Sequence, residues 1–248
     1  MSEGSGRLVV IAGPSCVGKS PLFRALERFH PDLAASLEPI VLYNDRPPRP
    51  GEVDGRDYHF RSRDEIESLA ERSGHAVLEV RGDLQAVDLE ALEADLERGD
   101  VLFEGNPFVA RLLLDHPALA HLPRLAVFVS PLGRMEIEGL RRAGADPAVV
   151  TADVMRRKLL RRTRRFKGEL SLPDLEEVER RAGSAWSELG FASAFDHVIV
   201  NHDGEDSEHW EAFPRLVGDA GRSLNCLAAL LRGESADTES WPTGFPTT

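Results

Sequence analysis

Apolar positions along this chain fall in short runs, and the stretches between them carry apolar residues at helical spacing. The runs at residues 8–12, 40–43, 76–80, 101–104, 125–129 and 197–200 have the length of buried strands. Amphipathic spacing predicts helices over 21–29, 63–72, 89–98, 108–114, 152–161, 175–189 and 210–231. Short apolar runs alternating with amphipathic helices predict an α/β fold, with a parallel sheet flanked by helices. The segment from Arg46 to Tyr58 holds too much proline and glycine for a helix and reads as a turn-rich excursion in a small lobe. One domain is expected over residues 1–232. The stretch 233–248 is poor in aliphatics and is expected to be a disordered or loosely docked tail.

The first apolar run leads into Gly13-Pro14-Ser15-Cys16-Val17-Gly18-Lys19-Ser20, which fits G-x-x-x-x-G-K-S. Strand, glycine-rich turn and following helix are the context a phosphate-binding loop requires. Backbone N–H groups of such a loop close around a phosphate chain, and the helix N-terminus adds its dipole. Gly13, Ser15, Val17, Gly18, Lys19, Ser20 and Pro21 are therefore the expected ATP contacts. Lys19 is expected at the β- and γ-phosphates and the Ser20 hydroxyl on Mg²⁺.

Charge refines this picture. The net charge is −12, which disfavours nonspecific nucleic-acid binding, so anionic ligands must be met by local basic patches. One such patch is a run of arginine and lysine from Arg156 to Lys167, with Arg162 and Arg165 inside it. It reads as a mobile lid closing on a transferring phosphate, as a nucleic-acid patch or as a solvated helix face. The two cysteines, Cys16 and Cys226, suggest no disulfide and fit a reducing cytoplasm. No apolar run approaches the ~20 residues that span a membrane.

Three segments, in order, resemble the guanylate kinase family. They are the loop Gly13 to Ser20, the stretch from Arg46 through Arg49, Gly51, Glu52, Gly55 and Tyr58 to Phe60, and the stretch from Arg180 and Arg181 through Glu188 to Asn201 and Asp203. The resemblance implies a P-loop kinase with an acceptor lobe near residues 41–88 and a lid near 156–181. It implies that Arg46, Arg49 and Tyr58 hold an acceptor phosphate, the arginines through bidentate forks. Glu79 is similar in place to a base-contacting glutamate, and Glu104 to an acidic strand end that serves the acceptor or, with Ser20, Mg²⁺. Asn201 joins the ATP contacts, and Lys19, Arg162, Arg165 and Arg181 are the candidate catalytic cations. The implied reaction is Mg·ATP-dependent phosphorylation of a nucleoside monophosphate.

The chain departs from the family where guanine is read. Leu42 stands where the family has a serine, and Leu84-Gln85-Ala86-Val87 replaces its Tyr-Gly-Thr/Ser stretch. Phosphate chemistry is thus expected to be kept while base identity is open. Two rivals stand beside this reading: a kinase for a sugar phosphate or specialised metabolite, and a catalytically inactive binding module.

Overall fold

The computed structural model describes residues 6–49 and 51–246. In chain order its elements are β1 (Leu8–Ala12), α1 (Lys19–Phe29), α2 (Pro31–Ala35), β2 (Leu37–Pro39), β3 (Tyr43–Asn44), β4 (His59–Phe60), α3 (Arg63–Leu69), β5 (His75–Val80), β6 (Asp83–Asp88), α4 (Leu89–Leu96) and β7 (Asp100–Gly105). They continue with α5 (Pro107–Asp115), β8 (Arg124–Ser130), α6 (Arg134–Arg142), α7 (Pro147–Lys167), α8 (Leu172–Leu189), β9 (His197–Val200) and α9 (Gly218–Leu231). A five-stranded sheet has the order β2-β7-β1-β8-β9, with β2/β7 and β8/β9 pairing parallel. Every residue of β1 is buried, as its unbroken apolar run requires.

The chain divides into two compact units, and the division passes through β1 and β7. One unit holds residues 36–103 with the chain start and residues 121–124; the other holds residues 10–35, 104–120 and 125 onwards.

Within the first unit a four-stranded sheet runs β4-β3-β6-β5. β5 and β6 form an antiparallel hairpin across Arg81 and Gly82, both at positive φ (56° and 95°), the geometry of a primed turn. One face of this sheet packs on α3 through Tyr43, Val77, Leu84 and Ala86 against Ile66 and Leu69. α3 begins with a capping box in which Ser62 and Glu65 each bond the other's backbone. Because side chains alternate along a strand, Asn44, Ala76, Leu78, Gln85 and Val87 lie on the opposite face.

In the second unit α7 and α8 pack as a helical hairpin. α7 is longer than the sequence pattern predicts: Asp146 caps it, Pro147 opens it and Gly168 at φ 76° ends it. The helix expected over 210–231 is instead a 3₁₀ turn at Glu208–Glu211 followed by α9, because Pro214 interrupts the ladder. The strand expected at 40–43 is displaced into β2 and β3, and β6 was not anticipated.

The tail also differs from expectation, since its residues up to 246 are docked. Glu239 exchanges backbone hydrogen bonds with Val198 at 2.8 and 2.9 Å, and its carboxylate accepts from Arg134 N–H and the Trp241 ring. Trp241 and Phe245 are buried edge to face. Two aromatic anchors outweigh a composition that is otherwise polar.

Candidate active site

The phosphate loop leaves β1 at Gly13, where an added Cβ would meet Val129 O at 2.3 Å. At Gly18, φ is 102° and a Cβ would lie 2.5 Å from Asn201 Nδ2 and 2.6 Å from Asp203 O. Both glycines are therefore required by backbone proximity as well as by any ligand. Lys19 is buried, and its Nζ donates to Gly13 O at 2.8 Å and Pro14 O at 3.0 Å, bridging the loop over its own start. Ser20 Oγ donates to Glu104 Oε1 at 3.3 Å. Burial holds the Glu104 carboxyl above the ordinary carboxylate range, and Lys19 nearby offsets only part of that rise. Pro21, expected among the ATP contacts, sits buried in the first turn of α1 and has no N–H to give a phosphate.

Asn201 is fully buried at the end of β9, and its side chain is spent on protein. Nδ2 donates to Val17 O at 2.8 Å and Asp203 O at 2.7 Å, while Oδ1 accepts from Asp203 N. Its place is beneath the phosphate loop, as a strut. Two further supports escaped the sequence pattern. Glu205 N–H reaches Cys16 O at 3.4 Å, and Trp210 Nε1 donates to Gly204 O at 3.0 Å. Their signal was their closeness in sequence to Asn201. Cys16 itself is enclosed, and burial pushes its thiol up to about 12.

The candidate lid arginines separate clearly. Arg162 turns inward and donates Nη1 to Glu205 Oε2 at 2.6 Å. Arg181 is largely buried on α8 and bonds Glu177 Oε1 at 2.6 Å. Arg165 is solvent-exposed near the end of α7. The basic run is therefore not one surface: a helix turns it through all directions, and Arg156 and Arg157 pair with Asp153 on α7 itself.

In the lobe, the Arg46 guanidinium is forked by Glu52, at 2.6 and 2.7 Å, and lies 5.0 Å from the Tyr58 ring centre and 5.5 Å from that of Phe60. Burial opposes its charge, but the Glu52 carboxylate raises its pKa further. Glu52 also accepts from Arg49 N–H at 2.7 Å, so one carboxylate ties both arginines of the motif. Glu79 stands apart from this group. It lies on the α3 side of its strand, with 61% of its side chain exposed, and pairs with Arg63 at 3.3 Å. That placement departs from the base-contacting role expected for it. The residues at the family's base-reading positions, Leu42, Gln85 and Val87, are buried. Asn106, beside Glu104, caps α5 through Val109 N–H at 2.9 Å.

Among the described residues no cluster of three or more histidine, cysteine, aspartate or glutamate side chains forms a metal cage. A hydroxyl and one carboxylate, Ser20 and Glu104, instead suit Mg²⁺, which keeps several waters and binds proteins sparingly while phosphates complete its shell. Among the same residues no helix is long and apolar enough to cross a membrane.

Residues 5–86 match the family model described as guanylate kinase. A guanylate kinase of Rhodococcus jostii (strain RHA1) is 33% identical over 241 residues, spanning 95% of this chain and 91% of that protein. A guanylate kinase of Rubrobacter xylanophilus is 31% identical over 216 residues, spanning 86% and 95%. The crystal structure of guanylate kinase from Anaplasma phagocytophilum superposes with a TM-score of 0.52 at 18% identity, over 93% of this chain and 87% of that one, a likeness of fold. With near full-length similarity of this order and a phosphate loop intact in every chemical part, the chain belongs to the guanylate kinase family of P-loop nucleoside monophosphate kinases.

Proposed function

We propose that this protein transfers the γ-phosphoryl group of Mg·ATP to a nucleoside monophosphate whose base is not selected as guanine. The observation that carries the transfer is the pair Lys19 and Ser20 at the start of α1, with Glu104 at 3.3 Å from the serine. An inactive binding module has no use for that constellation. Family membership favours a nucleotide acceptor over a sugar phosphate.

Phosphoryl transfer asks little covalent work of a protein; it asks for alignment and for charge placed in advance. Lys19 leaves two carbonyls when a phosphate chain enters and becomes a point charge for it. Ser20 and Glu104 would hold Mg²⁺, which would supply charge neutralisation for the phosphates. Arg46, once Glu52 yields its guanidinium, and Arg49, whose bond to Glu52 is through its backbone N–H, supply donors to the acceptor phosphate. Arg162 and Arg181, largely but not fully enclosed, are the cations that would stabilise the transferring group.

Base choice follows from what Leu42, Gln85 and Val87 lack. A site that reads a base by hydrogen bonds loses discrimination when those partners go. Steady-state kinetics with Mg·ATP across GMP, AMP, CMP, UMP and their unphosphorylated nucleosides tests both halves. The expected result is turnover of monophosphates with GMP not preferred. Selective GMP turnover would remove the specificity claim, and equal use of nucleosides would remove the phosphate clamp.

A further inference from the structure

The carboxylate of Glu205 has no part in the reaction as derived above, yet it lies buried beside the phosphate loop. Its Oε2 holds Arg162 Nη1 at 2.6 Å, with only 16% and 22% of the two side chains exposed. A carboxylate there works against the loop, because it repels the phosphates the loop attracts. Such a group needs a compensating use.

The surrounding contacts indicate one. The segment after β9 grips the phosphate loop through Asn201 Nδ2 on Val17 O and through Glu205 N–H on Cys16 O. The same segment receives cations from α7: Lys158 on His202 O, Arg161 on Asp206 at 3.4 Å, and Arg162 on Glu205. Positions 158, 161 and 162 share one face of the helix. One short loop thus sets the height of the phosphate loop and the position of α7 together.

Burial pushes the Glu205 carboxyl up, but Arg162, Lys19 and Arg181 outweigh it and hold the group below the ordinary carboxylate range. It is an anion at neutral pH. Among the described residues the Arg162 guanidinium makes no second hydrogen bond or ion pair. A guanidinium is planar and rigid, so the bond at Nη1 together with the tether of its own side chain restrains the plane and leaves the other donors aimed as a set.

We propose that Glu205 is a positioning residue for phosphoryl transfer: it holds Arg162 by Nη1 so that the remaining guanidinium donors meet the γ-phosphoryl group of ATP. The proposal rests on the kinase reading for its meaning, but its first test needs no acceptor. Affinities for Mg·ADP and for a non-hydrolysable Mg·ATP analogue are measured by calorimetry on the full chain, for wild type, Glu205→Gln, Glu205→Asp, Arg162→Ala and the double variant Glu205→Gln/Arg162→Ala. Wild type is expected to favour the triphosphate by about tenfold, from one added charge-assisted contact. Glu205→Gln should lose most of that preference while its Mg·ADP affinity stays within about threefold. Glu205→Asp should recover part of it, and the double variant should be no worse than Arg162→Ala, because the two residues act as a unit.

Kinetics on the same variants then locate the effect: kcat for the best monophosphate of the panel should fall at least tenfold in Glu205→Gln with KM for that acceptor little changed. A purely structural tie predicts lower Tm with parallel losses for ADP and the analogue, and that outcome overturns the proposal. So does independent, multiplying loss in the double variant. If no monophosphate is turned over by wild type, the function proposed above fails, while the triphosphate preference still decides the role of Glu205.

Discussion

The phosphate-loop region and the acceptor lobe are built from different kinds of contact. Around the phosphate loop, side chains bond backbone: Lys19 to Gly13 and Pro14, Asn201 to Val17, Trp210 to Gly204. Those partners are buried, so each contact is costly to lose. In the lobe, apart from the largely buried Arg46–Glu52 fork, the ion pairs join side chains nearer solvent: Arg56 with Asp57, Arg61 with Asp54, Arg63 with Asp45, Glu67 and Glu79. Exposed ion pairs of this kind contribute about 0–1 kcal/mol each. The lobe's sheet has two strands of only two residues. A triphosphate presents the same charges whatever base it carries, so its site can be set in backbone geometry. A base is distinguished by a few side chains, and a few substitutions on a small sheet change which base is read.

The largest effect expected from this contrast is at Lys19. Lys19→Ala removes the one buried cation of the phosphate loop itself, and kcat/KM should fall by at least about a thousandfold with any acceptor. A variant that keeps a tenth of the activity would show that the loop does not do the chemistry assigned to it.

A smaller, one-sided loss is expected in the lobe. Arg49→Ala should raise KM for the acceptor about 10–100-fold and leave the affinity for Mg·ATP within about twofold. Arg46→Ala should do the same and also loosen the lobe, because Glu52 loses its fork and is left partly buried, at a cost of about 1–3 kcal/mol. Equal losses of ATP and acceptor binding in either variant would mean that the two regions are not functionally separate.

The comparison can also be sharpened by partial reversal. Gln85 and Val87 share the sheet face turned away from α3. The double variant Gln85→Tyr/Val87→Thr restores a phenol and a hydroxyl to that face. Each hydrogen bond gained is worth about 0.5–1.5 kcal/mol, so with two gained GMP should improve relative to AMP by about 5–150-fold in kcat/KM. No change in the GMP-to-AMP ratio would place base choice elsewhere in the lobe.

What could be read from the sequence follows the same division. The phosphate loop was legible because G-x-x-x-x-G-K-S states a backbone path, and the structure shows Gly13 and Gly18 where no Cβ fits. β1, β8 and β9 were legible because buried strands are unbroken apolar runs. β6 was missed because Asp83, Gln85 and Asp88 interrupt its apolar character, and its place is set by pairing with β5. The side Glu79 takes is hidden from the sequence for a related reason: strand alternation assigns it to the α3 side, and alternation is visible only once the register is known. The arginines from 156 to 167 could not be sorted without the helix that sends Arg162 inward and Arg165 out. Glu205 carried no motif at all; its importance comes from a contact spanning 43 residues of chain.

The smallest effect concerns the frame around the phosphate-loop region, and it tests whether that region's stability depends on charge as little as its backbone contacts suggest. His202, next to Asn201, is pinned by Glu136, 2.9 Å from Nε2, and by Asp219 at Nδ1. Burial draws its pKa down, but the two carboxylates outweigh this and raise it above the ordinary 6.5. Arg222 shares Asp219 at 3.1 Å, and Lys158 contacts the His202 carbonyl, so the carboxylates are not left to the histidine alone. A group with a raised folded pKa adds stability that is fully present below its unfolded pKa and disappears as pH rises through the folded value. His202→Gln should therefore lower Tm more at pH 6 than at pH 9. Nearly half of the imidazole is exposed, so solvent and salt screen it, and the difference should be no more than about 2–4 °C, shrinking at high ionic strength. Thermal melts of both proteins at the two pH values and two salt concentrations measure it. An equal Tm loss at pH 6 and pH 9 would assign the histidine to packing alone, and a larger loss at pH 9 would reverse the sign of the argument.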